Sequence, residues 1–136
     1  MADPQENEAQ QTPAQQPLEF VRDKDEFEAL YANNIQAESS FWDLKVIFGI
    51  LEQSDPQHPK VVQHTSVNLP WAQVKLMSYY LRAAVALHEA QNGKIPIPPS
   101  IMPPDPAALE FTATPQLSPE LRETISKFYK DFLATL

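Results

Sequence analysis

Three histidines, a pair of carboxylates and a group of aromatic side chains are the residues whose chemistry calls for a reading. His58 falls in a proline-rich turn, His64 in a run of β-branched residues and His88 within a long apolar helical pattern. A metal or proton-transfer role needs carboxylates or a second histidine beside them. Glu89 adjoins His88 but points about 100° away on a helix, so a hydrogen-bonded structural histidine is the favoured reading. Glu38 and Asp43 would face each other across a hairpin as a general acid and base do. The plainer reading, which we favour, is a solvated polar face with Lys45 as neighbour. The chain has no cysteine, which removes disulfides, thiolate metal sites and a cysteine nucleophile. It also lacks a Ser/His/Asp motif, an HExxH pair and a glycine-rich phosphate loop, and two glycines in 136 residues leave little from which to build one. The sequence therefore names no catalytic residue, no cofactor-binding residue and no metal ligand, and it is read as that of a protein that is not an enzyme.

Phe41, Trp42, Trp71, Tyr79 and Tyr80 form the aromatic group. Single-strand nucleic-acid sites stack bases on such rings but interleave them with Lys and Arg. The strand region here offers only Lys45 and Lys60, so packing or a subunit contact is the preferred use. The charge distribution agrees. Residues 1–30 hold eight acids and two bases, net -6 of the total -8, and the rest of the chain is close to neutral. Counterion release on nucleic acid requires clustered basic residues, and none is clustered.

The elements that position these residues follow from pattern and breakers. Residues 1 to about 17 are mostly Gln, Glu, Pro and Ala, with Met1 the one sizeable apolar side chain, and are expected to be disordered as part of an acidic leader over 1–22. With neither a basic segment nor an apolar one, this leader does not read as a signal peptide. No apolar run approaches 18 residues, so no membrane span is expected and a cytoplasmic location follows as the simplest expectation. Between Leu18 and Leu30, Asp23 is placed to cap a short helix.

From Tyr31 the period changes to two. Tyr31–Ser39 reads as a half-buried strand, Ser39-Ser40 as a turn, and Phe41–Glu52 as a central strand with Leu44, Val46, Phe48 and Ile50 on one face. Gly49 marks a bulge or a close backbone approach. Residues 54–59, SDPQHP, make a turn, and Lys60–Asn68 a third strand.

Pro70–Gly93 then runs without a breaker as a helix of about 20 residues. With Val74 at 0° and 100° per residue, Leu76, Leu87, Tyr80, Ala84, Met77, His88, Leu81, Val74 and Val85 fall within about half its circumference. That arc is wider than one small sheet face requires. Residues 94–117 carry a series of prolines and are expected to form an extended arm. Ser118-Pro119-Glu120 opens a terminal helix with Leu121, Ile125, Phe128, Phe132 and Leu136 in one stripe.

Certain of these residues recur as a set: Tyr31-Ala32-Asn33, then Ser39-Ser40-Phe41-Trp42-Asp43-Leu44 with the strand ending near Phe48, then Lys60-Val61-Val62, Pro70, and a Leu76/Leu81/Leu87 ladder through His88-Glu89 to Asn92-Gly93. In them the chain resembles a small bacterial family known as domain of unknown function 3467, over about residues 29–95. The family usually has Ser or Thr directly before the helix proline. Leu69 stands there in this chain, which moves the expected cap to Asn68. The resemblance implies no activity, cofactor or catalytic residue.

The fold expected is α+β: a three-stranded antiparallel meander in a core domain over 23–93, covered by the long helix, with the arm and terminal helix (118–136) appended. A core of this size buries about 60% of its unfolded surface, and its sheet has two edges and an uncovered face. These features point to a homodimer acting as a protein-interaction module, with Leu76, Tyr80, Leu87, Phe128 and Phe132 as its candidate interface. A single-stranded nucleic-acid binder built on the meander is the second expectation.

Overall fold

The computed structural model describes residues 17–106 and 118–136. The expected disorder of residues 1–16 and the last part of the arm, 107–117, lie outside the described residues. The element order is β1 (Asn34–Ser39), β2 (Asp43–Glu52), β3 (Lys60–Pro70), α1 (Trp71–Asn92), a 3-10 turn at Pro99–Ile101, and α2 (Pro119–Ala134). The three strands make one sheet in the order β1-β2-β3. Their short connections make each neighbouring pair an antiparallel hairpin. This is the expected α+β meander followed by a long helix.

Compactness divides the described residues into two units. Residues up to Ile35 with Phe48–His64 form one, and Gln36–Ile47 with the residues from Thr65 onward form the other.

In the first unit the strands close around Gly49. A Cβ placed there would lie 2.8 Å from Val61 Cγ1, 2.8 Å from the Val62 carbonyl oxygen and 3.2 Å from Gln63 Cα. Only glycine fits so close a backbone approach. Strand β1 begins three residues later than the alternation suggests, because the polar groups before it are used otherwise. Asn33 donates its N–H to the Gly49 carbonyl at 3.1 Å, its side-chain oxygen accepts from Leu51 N–H at 2.7 Å, and the Tyr31 carbonyl accepts from His64 Nε2 at 3.0 Å. The expected cap at Asp23 produces one turn rather than a helix: its carboxylate accepts from the N–H groups of Asp25 and Glu26, which holds that carboxyl below its ordinary range. The β2–β3 loop is held in the same way. The Asp55 carboxylate accepts from Gln57 N–H at 2.9 Å and lies 3.0 Å from His58 Nδ1.

In the second unit the β1–β2 turn is built on Ser40. Its hydroxyl accepts from the N–H groups of Trp42 and Asp43 and donates to Asp43 Oδ1 at 2.7 Å. The other Asp43 oxygen accepts from Asn68 Nδ2 at 3.2 Å. Asn68 is therefore not the cap of α1. Strand β3 continues past it to Pro70, and Pro70 is itself the N-cap residue, with no side-chain cap bond. The helix ends at Gly93, whose φ of 88° is open to glycine and whose N–H donates to the Glu89 carbonyl. Helix α2 starts as expected: the Ser118 hydroxyl accepts from Leu121 N–H at 3.2 Å, and Pro119 occupies the first turn. Its far end meets the arm, where Lys94 Nζ donates to the Thr135 carbonyl at 3.1 Å.

Among the described residues Val46, in the central strand, is the one buried apolar side chain. Gly49 is buried in the same strand and the rest of β2 is half-buried, as a residue run apolar on both faces requires.

Candidate functional site

Within α1 no residue is buried. Val74 and Met77 are half-buried, and the remainder of the apolar arc is exposed. Shielding of this face from solvent is confined to those two residues, in the first two turns. Leu76 is 47% exposed, Tyr80 63%, Leu81 57% and Leu87 61%. An open depression of about 270 Å³ lies at the N-terminal half of this face, lined by Leu69, Gln73, Leu76, Met77, Tyr80 and Leu81. Lys75, Arg82 and Glu89 are the helix's only charged residues. At 100° per residue they fall within about 40° of one another, on the side away from the depression. The arc from Leu76 to Val85 thus carries no Lys, Arg, Asp or Glu and, apart from Val74 and Met77, is exposed to solvent.

Of the five candidate interface residues, Leu76 and Tyr80 line the depression together. Leu87 lies farther along the same helix and is exposed. On α2, Phe128 is exposed and Phe132 is half-buried, beside half-buried Ile125 and Tyr129. Leu81, absent from the candidate set, is as exposed as its neighbours. Its place in the same apolar arc was the signal for it.

The other side chains singled out are engaged in structure. Lys45 Nζ lies 3.3 Å from Glu38 Oε2, and Asp43 is taken up by Ser40 and Asn68, so the two carboxylates do not form an acid–base pair. The His88 ring lies 3.4 Å from Asn92 Nδ2 at the exposed end of α1. Among the described residues, no group of three or more His, Cys, Asp or Glu side chains is placed to hold a metal ion. Trp71 donates its indole N–H to the Ser40 carbonyl at 3.2 Å. Phe41 and Trp42 stand at the tip of the turn so anchored, ring edge to ring face at 4.8 Å and both largely exposed. No helix among the described residues is long and apolar enough to cross a membrane.

With this geometry in view, the sequence model of a family described as protein of unknown function (DUF3467) matches residues 1–97. The chain belongs to this family. The match takes in the meander and all of α1, as the resemblance in the sequence implies, and extends through the acidic leader. No curated protein and no solved structure matches the chain. The DUF3467 region ends within the arm, so α2 lies beyond the part shared with the family.

Proposed function

We propose that this member of the DUF3467 family is a cytoplasmic, non-enzymatic assembly module that works as a homodimer through α1. One observation carries the reading: a 22-residue helix with no buried residue exposes Leu76, Tyr80, Leu81 and Leu87 along an uncharged arc. Exposed apolar surface of this kind rimmed by polar groups is characteristic of interaction sites. Size-exclusion chromatography with light scattering tests it. The expected species is a dimer of the 15.4 kDa chain. A folded monomer at every concentration overturns it.

The exposed Phe41–Trp42 pair favours a second reading, a single-stranded nucleic-acid contact. The nearest base in β2, Lys45, is already paired with Glu38, which makes this the weaker of the two. Titration against single-stranded oligonucleotides at low salt separates them, since binding that weakens with salt belongs to the second alone.

A further inference from the structure

We infer that two copies of α1 pair antiparallel about a two-fold axis at Arg82, with Tyr80 of each copy packed on Ala84 of the other. This rests on the homodimer proposed above and specifies its register. The charges of α1 are the starting point. Lys75, Arg82 and Glu89 are spaced seven residues apart, so all three occupy one position of a heptad. Placing that position outermost turns two rows inward: Gln73, Tyr80 and Leu87 in one, Met77, Ala84 and Gln91 in the other.

These rows are complementary under a two-fold axis. In antiparallel helices residues whose numbers share a constant sum lie at the same height. A two-fold at residue 82 aligns all six inward positions, Gln73 with Gln91, Met77 with Leu87, and Tyr80 with Ala84, each pair occurring twice. The bulky tyrosine meets the smallest residue, the middle layers are apolar, and the glutamines close both ends. The alignment covers about 27 Å of helix. Leu81 and Ala83, which flank the seam next to the axis, carry no charge, and Arg82 points outward.

The structure leaves this seam open for a second copy. Five of the six residues lining the depression are α1 residues on or beside the seam. The Met77–Leu87 layer sets the exposed Leu87 of the second copy over it. Helix α2 does not fill the place: its C-terminus is tied at Lys94, Ile125, Tyr129 and Phe132 are half-buried, and Tyr80 and Leu87 remain exposed. Taking ~150–250 Å² for an aromatic side chain, the exposed fractions of Tyr80 and the three leucines amount to on the order of 400 Å² per copy. With the flanking seam residues of two copies, this reaches the ~1,000 Å² of a specific interface.

The test is a size swap in the full-length chain, read by sedimentation equilibrium, with far-UV circular dichroism to verify folding. Tyr80→Ala leaves two alanines facing, and Ala84→Tyr sets two tyrosines against each other. Each single variant is expected to weaken dimerisation at least tenfold. The double variant Tyr80→Ala/Ala84→Tyr restores a tyrosine opposite an alanine in both layers and is expected to return to within a few-fold of wild type. A wild-type dimer whose double variant is as weak as the single variants overturns the register while leaving the homodimer standing. A monomeric wild type overturns both.

Spin labels provide a readout independent of the swap. The chain has no cysteine of its own, so Lys75→Cys and Arg82→Cys can each be labelled on the outer face. The antiparallel register requires a shorter distance between the two copies at residue 82 than at residue 75. Equal distances mean parallel pairing and overturn the inference.

Discussion

His64 Nε2 donates to the Tyr31 carbonyl at 3.0 Å, which joins β3 to the entry of β1 although β2 lies between them in the sheet. A carbonyl only accepts, so the bond places the proton on Nε2. On the intervening strand Gly49 has no side chain, and β3 approaches it within the distances a Cβ would need. The three strands are closed at this level by one missing side chain and one imidazole.

Gly49→Ala is accordingly expected to destabilise the fold by about 1–3 kcal/mol, the usual cost of overpacking. Val61→Ala in the same chain relieves the contact with Val61 Cγ1 but not that with the Val62 carbonyl, which belongs to the backbone. The double variant should therefore recover none of the backbone share of the loss. Urea unfolding at fixed protein concentration measures both, since association couples apparent stability to concentration.

Trp71 stands at the first position of α1 and bonds back to Ser40, 31 residues earlier. The helix has no side-chain cap, so this indole contributes one of the ties holding its start to the β1–β2 turn. Trp71→Phe keeps the ring and removes the donor. A loss of about 0.5–1.5 kcal/mol is expected, at the lower end because the residue is partly exposed. Unfolding followed by circular dichroism would record it, and an unchanged midpoint would show that the bond contributes nothing.

The Asp55 carboxyl titrates below its usual 3.8, first because Gln57 N–H donates to it and next because His58 does. A depressed folded-state value means that the turn's ionic bonds are complete above the ordinary carboxylate range and are lost as pH falls through the lowered value. Titration of the Gln57 amide by NMR should show its midpoint below 3.8 in the native chain, and no such transition in Asp55→Asn. A midpoint at or above 3.8 would mean that the turn does not hold the carboxylate.

Much of this was legible from the residues. The alternation around Val46 identified the central strand, Gly49 marked the close approach, and Ser118-Pro119 marked the start of α2 to the residue. Two of the misplaced features, the α1 cap and the start of β1, share a cause: a polar group has a partner beyond its own segment. Asn68 looked like a helix cap because it precedes Pro70, but its amide is committed to Asp43, 25 residues away. Tyr31 looked like strand because it keeps the period, but its carbonyl is committed to His64. The excess apolar arc of α1 was also visible as a periodicity. That Leu76, Tyr80 and Leu87 remain exposed is a tertiary fact that periodicity does not contain.

Helix α2 supplies the remaining prediction, because it lies outside the family match and its start depends on one hydroxyl. Ser118 accepts from Leu121 N–H, Pro119 needs no partner for its nitrogen, and Glu120 places a negative charge at the positive end of the helix dipole. Ser118→Ala leaves an N–H of the first turn without its acceptor, while Ser118→Asp supplies a charged one. Loss of the cap is expected to cost α2 about 0.5–2 kcal/mol, seen as faster amide hydrogen exchange in 119–134, whereas the aspartate variant should exchange as slowly as wild type or slower. Exchange in α1 should be unchanged, because the bond from Lys94 to Thr135 ties the arm at the opposite end of α2. If exchange in α1 rises together with that of α2, the two helices open as one cooperative unit, and α2 would then contribute to holding the face that α1 presents.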